Sequence, residues 1–212
     1  RRQRQMCIRD RSHRVNGEIA LPGSDVEYQK LTYDAQAYFP LGKDFVLRGY
    51  GKLGYGNDLP FYKNFYAGGF GSVRGYDNST LGPKYDSVYA ENTGLENFDP
   101  EEVGGNALVQ FGTELALPLP FKGDWTRQVR PVLFAEGAQV FDTQCDVPTS
   151  EASKQYCKDN FGFDVDNMRY SVGVGFTWIT MIGPLSLSYA YPLNDKEGDE
   201  TKNIQFEIGR TF

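Results

Sequence analysis

The sequence predicts an all-β protein, a transmembrane antiparallel β-barrel. Three observations predict it. Apolar and polar residues alternate with period two in run after run, many of these runs end in aromatic residues, and the connections between them alternate between short and long. This pattern is typical of a barrel with apolar side chains facing lipid and polar side chains facing the lumen.

Composition excludes several other classes. No stretch of about 18 consecutive apolar residues is present, so a transmembrane helix is excluded. Aromatic residues make up 15% of the chain, which argues against intrinsic disorder. The formal net charge is −6 and the pI is about 4.9, so we expect no nucleic-acid partner, because phosphate-binding proteins usually carry the opposite sign.

The alternation defines eight predicted strands. In the second of them Leu31, Tyr33 and Phe39 share one face while Lys30 and Thr32 share the other. The same alternation recurs in residues 106–117, where Phe111 is opposed by Glu114, and in residues 168–178. In chain order the predicted strands are residues 14–21, 30–39, 45–55, 106–117, 129–141, 168–178, 184–191 and 203–212.

Aromatic residues near the strand ends distinguish a membrane barrel from a soluble sandwich, which also alternates. Backbone polar groups in lipid must pair within the protein, and a closed barrel achieves this with strands. The expected interfacial aromatics are Phe39, Phe121, Trp125, Trp178, Tyr189, Tyr191 and Phe212.

Connection lengths orient the predicted barrel. Residues 40–44, 118–128 and 181–183 form short connections of the periplasmic kind, whereas 56–104, 143–167 and 194–203 form long outer loops. The first hairpin, which turns at residues 22–24, is brief for an outer loop. The acidic residues Asp195, Glu197, Asp199 and Glu200 are interpreted as a solvated outer loop, with contact to divalent-bridged lipopolysaccharide as the alternative.

The N-terminal segment does not fit the barrel pattern. Residues 1–11 lack the apolar core and cleavage site of a signal peptide, and the letters MCIRDR at residues 6–11 look like a translated sequencing-adapter end. We therefore expect residues 1–11 to be a non-native tail and residues 12–212 to be the barrel portion.

The longest connection, residues 56–104, carries the most specific motif. It is rich in glycine but contains neither a phosphate-binding loop nor a complete G-x-G-x-x-G fingerprint. Residues 61–84, with Val73, Arg74, Gly75 and Tyr76 at their centre, resemble the sixth extracellular loop of the BamA family of outer-membrane assembly proteins. The resemblance continues through residues 104–106, the strands with Glu114 and Glu136, residues 183–185 and the tail 206–212.

This resemblance implies an architecture and a location. BamA-like barrels have sixteen strands, so residues 12–212 would be the last eight, and loop 56–104 would plug the lumen. Periplasmic POTRA repeats and eight further strands would complete such a protein. The expected location is the outer membrane of a Gram-negative bacterium.

Arg74 is the residue with the most specific predicted role, which is to attach the loop to the inner wall of the barrel. It lies at a glycine-flanked loop tip, and a loop folded into the lumen would need to pair its charge. Glu114 lies on the polar face of its strand and Glu136 interrupts an apolar run, so we expect these two carboxylates to be its partners. The alternative is a solvated Arg74 with both glutamates facing lumen water.

The resemblance also implies a function without enzymatic chemistry. A BamA-like barrel assembles and inserts other β-barrel proteins through a weakly paired seam between its first and last strands. Expected partners are the lipid bilayer and lipopolysaccharide, unfolded client proteins and accessory lipoproteins; no cofactor or metal is expected. The seam strand would carry Ile204, Phe206, Ile208, Gly209 and Phe212, and Gly209 would allow a bend.

Other functions remain open at this point. A paralogous transporter of the two-partner secretion or TamA type shares the Arg-Gly-aromatic motif. A complete eight-stranded barrel with a structural or adhesive role would also close. A barrel hydrolase is disfavoured, because His13 is the only histidine and no catalytic constellation is visible.

The cysteines indicate whether the protein resides in an oxidising compartment. Cys145 and Cys157 lie in one polar loop and could close a small ring, which would indicate an oxidising compartment. We expect a disulfide, with two free loop thiols as the alternative. Too few neighbouring ligands are present for a zinc site.

Overall fold

We describe the chain from a computed structural model. The structure describes residues 11–20, 23, 26–42, 44–84, 102–119, 128–145, 151–180, 183–196 and 198–209. The tail of residues 1–10, the predicted turn positions 22 and 24, and the aromatic residues Phe121, Trp125 and Phe212 lie outside the described residues. The first strand begins at Arg11, and the non-native origin of residues 1–11 stays a prediction.

The described residues form a large antiparallel sheet and a small one. The strands are β1 (Arg11–Ile19), β2 (Gln29–Pro40), β3 (Val46–Asn57), β4 (Gly75–Tyr76), β5 (Ala107–Ala116), β6 (Val129–Phe141), β7 (Arg169–Thr180), β8 (Gly183–Pro192), β9 (Thr201–Lys202) and β10 (Ile204–Ile208). Eight of them form one sheet in the order β1-β2-β3-β5-β6-β7-β8-β10, and β4 pairs with β9.

The large sheet confirms the predicted antiparallel fold class. Its consecutive strands pair with their neighbours in sequence, which is the meander expected of a barrel wall. β1 and β10 are the two edges of this sheet, and over the described residues they are not paired with each other. The sheet is therefore open, which does not favour a complete eight-stranded barrel.

Side chains of the sheet are arranged with polar groups inside and apolar groups outside. On β7, Trp178 is 46% exposed whereas its neighbour Thr177 is 6% exposed. The large apolar side chains of this strand are thus the exposed ones, the reverse of the arrangement in a soluble protein. Ile204 and Phe206 on β10 are likewise exposed, while Gln205 between them is buried. The exposed face is the lipid-facing surface that the alternation predicts. Among the predicted interfacial aromatics, Trp178, Tyr189 and Tyr191 are exposed on it.

The long loop packs on the inner face of the sheet. Its described part, residues 56–84 and 102–104, contributes most of a buried apolar cluster whose members from the large sheet come from β5 and β6. The cluster consists of Phe65, Ala67, Val73, Tyr76, Leu81, Leu108, Ala138 and Val140. Burial of these apolar groups holds residues 65–81 against the wall.

The outer loop after β6 contains a helix that the sequence analysis does not predict. The helix α1 spans Glu151–Phe161 and is followed by a short 3-10 turn at Val165–Asn167. Within the described residues, no helix has the length and apolar character needed to cross a membrane.

Candidate functional site

Arg74 is anchored to Glu136 on the inner face of β6. Its backbone N–H donates to one carboxylate oxygen of Glu136 at 2.8 Å, and its guanidinium Nε donates to the other at 3.0 Å. Nη2 donates to that second oxygen as well, at 2.5 Å. Arg74 is only 1% exposed, so this contact is made away from bulk solvent, where an unpaired charge would be strongly unfavourable.

Glu114 on β5 is the second carboxylate of the site. It accepts a hydrogen bond from Nη2 of Arg74 at 2.7 Å and another from Nη1 of Arg48 at 2.9 Å. Arg48 and Glu114 are direct partners across β3 and β5, so the sheet register places them side by side. The structure therefore brings both predicted partners to Arg74 and adds a second arginine.

Two aromatic residues complete the site. The hydroxyl of Tyr50 on β3 donates to Glu136 at 2.5 Å. The guanidinium carbon of Arg74 lies 3.5 Å from the centroid of the Phe134 ring, a cation–π contact. Burial alone would lower the pKa of Arg74, but Glu136 and Glu114 raise it above its ordinary value, so the guanidinium stays charged.

Space for the Phe134 ring depends on a glycine in the neighbouring strand. Gly173 on β7 is the direct partner of Phe134. A Cβ at position 173 would clash with the Phe134 ring and with the backbone oxygen of Tyr189. Gly173 thus leaves the space that the Phe134 ring occupies next to Arg74.

The rest of the loop motif lies beside the last strands. Gly75 and Tyr76 form β4, which pairs with β9, and Val73 and Tyr76 are fully buried. Burial, followed by the nearby Asp199 carboxylate, raises the pKa of Tyr76 to about 12, which keeps its phenol neutral. Gly75 has a positive φ of 97°, a conformation that favours glycine.

The predicted seam strand is only partly within the described residues. Ile204, Phe206 and Ile208 are exposed on its lipid-facing side. Gly209 has a positive φ of 95°, and its N–H donates to the backbone oxygen of Pro184 at 2.8 Å. The strand therefore bends at Gly209, and Phe212 lies outside the described residues.

Cys145 and Cys157 form a disulfide with their Cα atoms 5.8 Å apart. This distance lies within the range that disulfide geometry requires. The bond ties α1 to the end of β6. Asp142 lies close to both sulfurs, but the disulfide removes the thiolates that a metal would need.

The interpretation of the acidic loop as merely solvated is wrong for Asp199. Its carboxylate pairs with the guanidinium of Arg169 at the start of β7, and both side chains are mostly buried. β9 then continues this loop into the pairing with β4. The loop folds back over the motif because its backbone groups pair there, and Glu197 lies outside the described residues.

Sequence reasoning missed Arg48, Tyr50 and Gln205. All three lie at inward positions of strands that the alternation predicts, so the signal was present. Choosing them among the other inward polar residues requires the register between strands, which the alternation alone does not give.

The arrangement anchors the loop to the inner face of the sheet. Two guanidinium groups face two carboxylates, and the hydrogen bonds among them join the loop, β3, β5 and β6. Such a network fixes the loop on the wall and gives it one defined position.

Comparison with known proteins agrees with this geometry. Residues 11–212 match the Omp85 superfamily domain. The chain is 39% identical to the outer membrane protein assembly factor BamA of Neisseria meningitidis serogroup B, over 93% of this chain and 26% of that protein. It is 28% identical to the mouse sorting and assembly machinery component 50 homolog, over 94% of this chain and 40% of that protein.

A solved structure is similar as well. The crystal structure of BamA from Haemophilus ducreyi lacking POTRA domains 1–3 aligns with a TM-score of 0.77 and 33% identity, over 93% of this chain and 38% of that chain. The chain thus spans about a quarter to two fifths of the length of these relatives. With a family match over nearly its whole length, the chain belongs to the Omp85 superfamily.

Proposed function

We propose that the protein containing this chain assembles β-barrel proteins and inserts them into the outer membrane, without enzymatic chemistry. The observation that carries the proposal is the buried bridge from Arg74 to Glu136 and Glu114, which fixes the long loop on the inner wall. The bacterial relative is named an outer membrane protein assembly factor, and the mouse relative a sorting and assembly machinery component.

The location is the outer membrane of a Gram-negative bacterium, as for the BamA relatives. The exposed apolar face of the sheet would contact the bilayer, and lipopolysaccharide would surround its outer end. Unfolded outer-membrane proteins are the proposed clients, and accessory lipoproteins are the proposed partners.

The edge strand β10 supplies a physical route for assembly. It spans only Ile204–Ile208, and the large sheet pairs it with β8 on one side. An exposed strand edge is a template for adding another strand through backbone hydrogen bonds. Gly209 still donates to the backbone oxygen of Pro184, but its positive φ bends the strand, which would weaken pairing beyond that point and favour opening there.

Reconstitution of the full-length protein in liposomes tests this function. An unfolded outer-membrane barrel is added, and its folding is followed by the shift in electrophoretic mobility of the folded form. We expect faster folding than in protein-free liposomes, and slower folding when Glu136→Lys replaces the carboxylate. Exposed Arg130 on β6 offers a matched surface change, Arg130→Ala, which should leave the rate unaltered.

The proposal would be overturned if folded full-length protein in the liposomes gave no acceleration. Export of one secreted partner across the bilayer, with no effect on barrel folding, would instead favour the paralogous transporter.

A further inference from the structure

The loop motif is held on two sides, and the second side involves the last outer loop. β4 pairs with β9 in a two-residue ladder that joins Gly75 to Lys202 and Tyr76 to Thr201. The N–H of Asp77 then donates to the backbone oxygen of Glu200 at 2.8 Å, which extends the same register by one residue. Arg74, which bridges to Glu136, immediately precedes this ladder.

The terminal strand makes its own contact with the motif. The side-chain amide of Gln205 donates to the backbone oxygen of Tyr76 at 2.5 Å, and Gln205 is 5% exposed. Gln205 lies at the inward position of β10, where it pairs with Ser188 of β8. The strand that forms the edge of the large sheet is therefore bonded to the loop that packs on the inner face of that sheet.

The ladder and the terminal strand are almost continuous. Asn203 alone separates β9 from β10, and its amide donates to the backbone oxygen of Ala190 at 3.0 Å. On the other side, a Cβ at Gly75 would lie 3.2 Å from the Cβ of Ala190, so the motif approaches β8 closely. The motif thus fits between β8 and β9 with little free space.

We propose that residues 200–205, here named the clasp, couple the terminal strand to the long loop. Separating β10 from β8 would withdraw the Gln205 amide from Tyr76 and pull β9 away from β4. Because Tyr76 is two residues from Arg74, that displacement would reach the bridge to Glu136. Conversely, loss of the bridge would loosen the clasp and with it the edge strand.

The ion pair between Asp77 and Lys202 adds little to the coupling between the terminal strand and the loop. Its nitrogen and oxygen are 3.3 Å apart and the lysine is half exposed, and exposed pairs of this kind contribute little. The buried Gln205 bond and the backbone ladder carry the coupling, because a buried hydrogen bond lost without replacement leaves its partner unsatisfied.

Hydrogen exchange on the full-length protein in lipid nanodiscs tests the clasp. In Gln205→Leu the amide donor is replaced by an apolar side chain, slightly shorter, that can donate no hydrogen bond. We expect exchange to rise about tenfold both at residues 74–77 and at residues 204–208, the scale of one lost buried hydrogen bond.

Gln110→Leu is the matched control. Gln110 on β5 also donates to a loop carbonyl, that of Gly71 at 3.0 Å, but it is not part of the terminal strand. It should raise exchange near residue 71 and leave residues 204–208 as in the unchanged protein. The proposal would be wrong if Gln205→Leu left residues 74–77 unaltered, or if Gln110→Leu loosened β10 equally.

A crosslink gives the converse test and does not depend on the folding of Gln205→Leu. Asp77→Cys with Glu200→Cys places two thiols at facing positions of antiparallel strands, where Cα atoms lie about 5.5 Å apart and a disulfide forms readily. Oxidation should slow exchange at residues 204–208 several-fold relative to the reduced form. The unchanged protein with reductant controls for the Cys145–Cys157 bond.

Protection limited to residues 75–77 in the oxidised form would show that the clasp does not reach the terminal strand. Neither measurement uses a client protein. Failure of the clasp is therefore distinguishable from failure of the proposed assembly function.

Discussion

Arg74 contacts Glu136 through both its backbone and its side chain. The backbone N–H donates to one carboxylate oxygen at 2.8 Å and the guanidinium Nε to the other at 3.0 Å. The contact therefore fixes the position of the main chain as well as the charge. A longer or more flexible cation could neutralise Glu136 without holding the loop in the same place.

Replacing Arg74 should destabilise the barrel strongly. In Arg74→Ala, Glu114 keeps Arg48, but Glu136 keeps only the Tyr50 hydroxyl and a backbone N–H among its described partners. Leaving one partner of a buried ion pair uncompensated costs about 3–5 kcal/mol. Arg74→Lys should recover part of that loss, because the charge returns without the fork geometry. Denaturant unfolding and protease protection of the loop in full-length protein measure both effects.

A double-mutant cycle identifies the source of the effect. Arg74→Ala and Glu136→Ala should be less costly together than the sum of the two single changes, because each removes the same contact. Arg130→Ala, an exposed change on the same strand as Glu136, should have little effect. Additive losses with an equally protected loop would mean that the bridge does not hold the loop.

Tyr50→Phe isolates the hydrogen bond to Glu136. The ring stays in place while the hydroxyl that donates at 2.5 Å is lost, so unfolding free energy should fall by about 1.5–3 kcal/mol. Tyr55→Phe on the same strand is the control, since Tyr55 is half exposed on the lipid-facing side. Equal effects of the two changes in denaturant unfolding would count against the role of Tyr50.

The strands of the large sheet could be predicted because the barrel pattern is visible in single strands. Lipid outside and polar groups inside impose a period of two. The sheet faces on which Phe111 and Glu114 lie can therefore be assigned from their own strand, without knowing which strands lie beside it. The contact of Arg74 with two glutamates could also be expected, because the resemblance to BamA-like barrels implies that the loop folds into the lumen, where its charge would need carboxylate partners.

The remaining features depend on tertiary structure. β4 and β9 are two residues each, too short for any periodicity, and they pair only because the last outer loop folds over the motif. Arg48 could not be selected without the register that places it opposite Glu114. The helix α1 lies in a polar loop, where no wide apolar stripe distinguishes it from a coil.

Gly173→Ala should disturb the site through steric contact alone. Gly173 lacks the positive φ seen at Gly75, so an added methyl group tests space rather than backbone conformation. It would push against the backbone oxygen of Tyr189 and against the Phe134 ring, whose centroid lies 3.5 Å from the guanidinium carbon of Arg74. Overpacking of this kind typically costs about 1–3 kcal/mol.

Gly49→Ala on β3, where a Cβ would meet nothing within 4 Å, is the control in unfolding measurements. Equal stability of the two variants would show that Phe134 and the β8 backbone at Tyr189 can shift without loss.

The disulfide should stabilise the outer loop and leave the sheet unaffected. Cys145 and Cys157 are twelve residues apart, and closing a ring of that size stabilises by about 3 kcal/mol in the chain-entropy model. The ring contains the start of α1, whereas the contacts between strands do not pass through it. In full-length protein, Cys145→Ser with Cys157→Ser should therefore increase protease cleavage within residues 145–157 at an unchanged barrel unfolding temperature.

Peptide mapping without reductant should recover the two cysteines in one linked peptide pair from the unchanged protein. A fall in the barrel unfolding temperature as large as that of Arg74→Ala would show that the ring supports the sheet as well, contrary to this expectation.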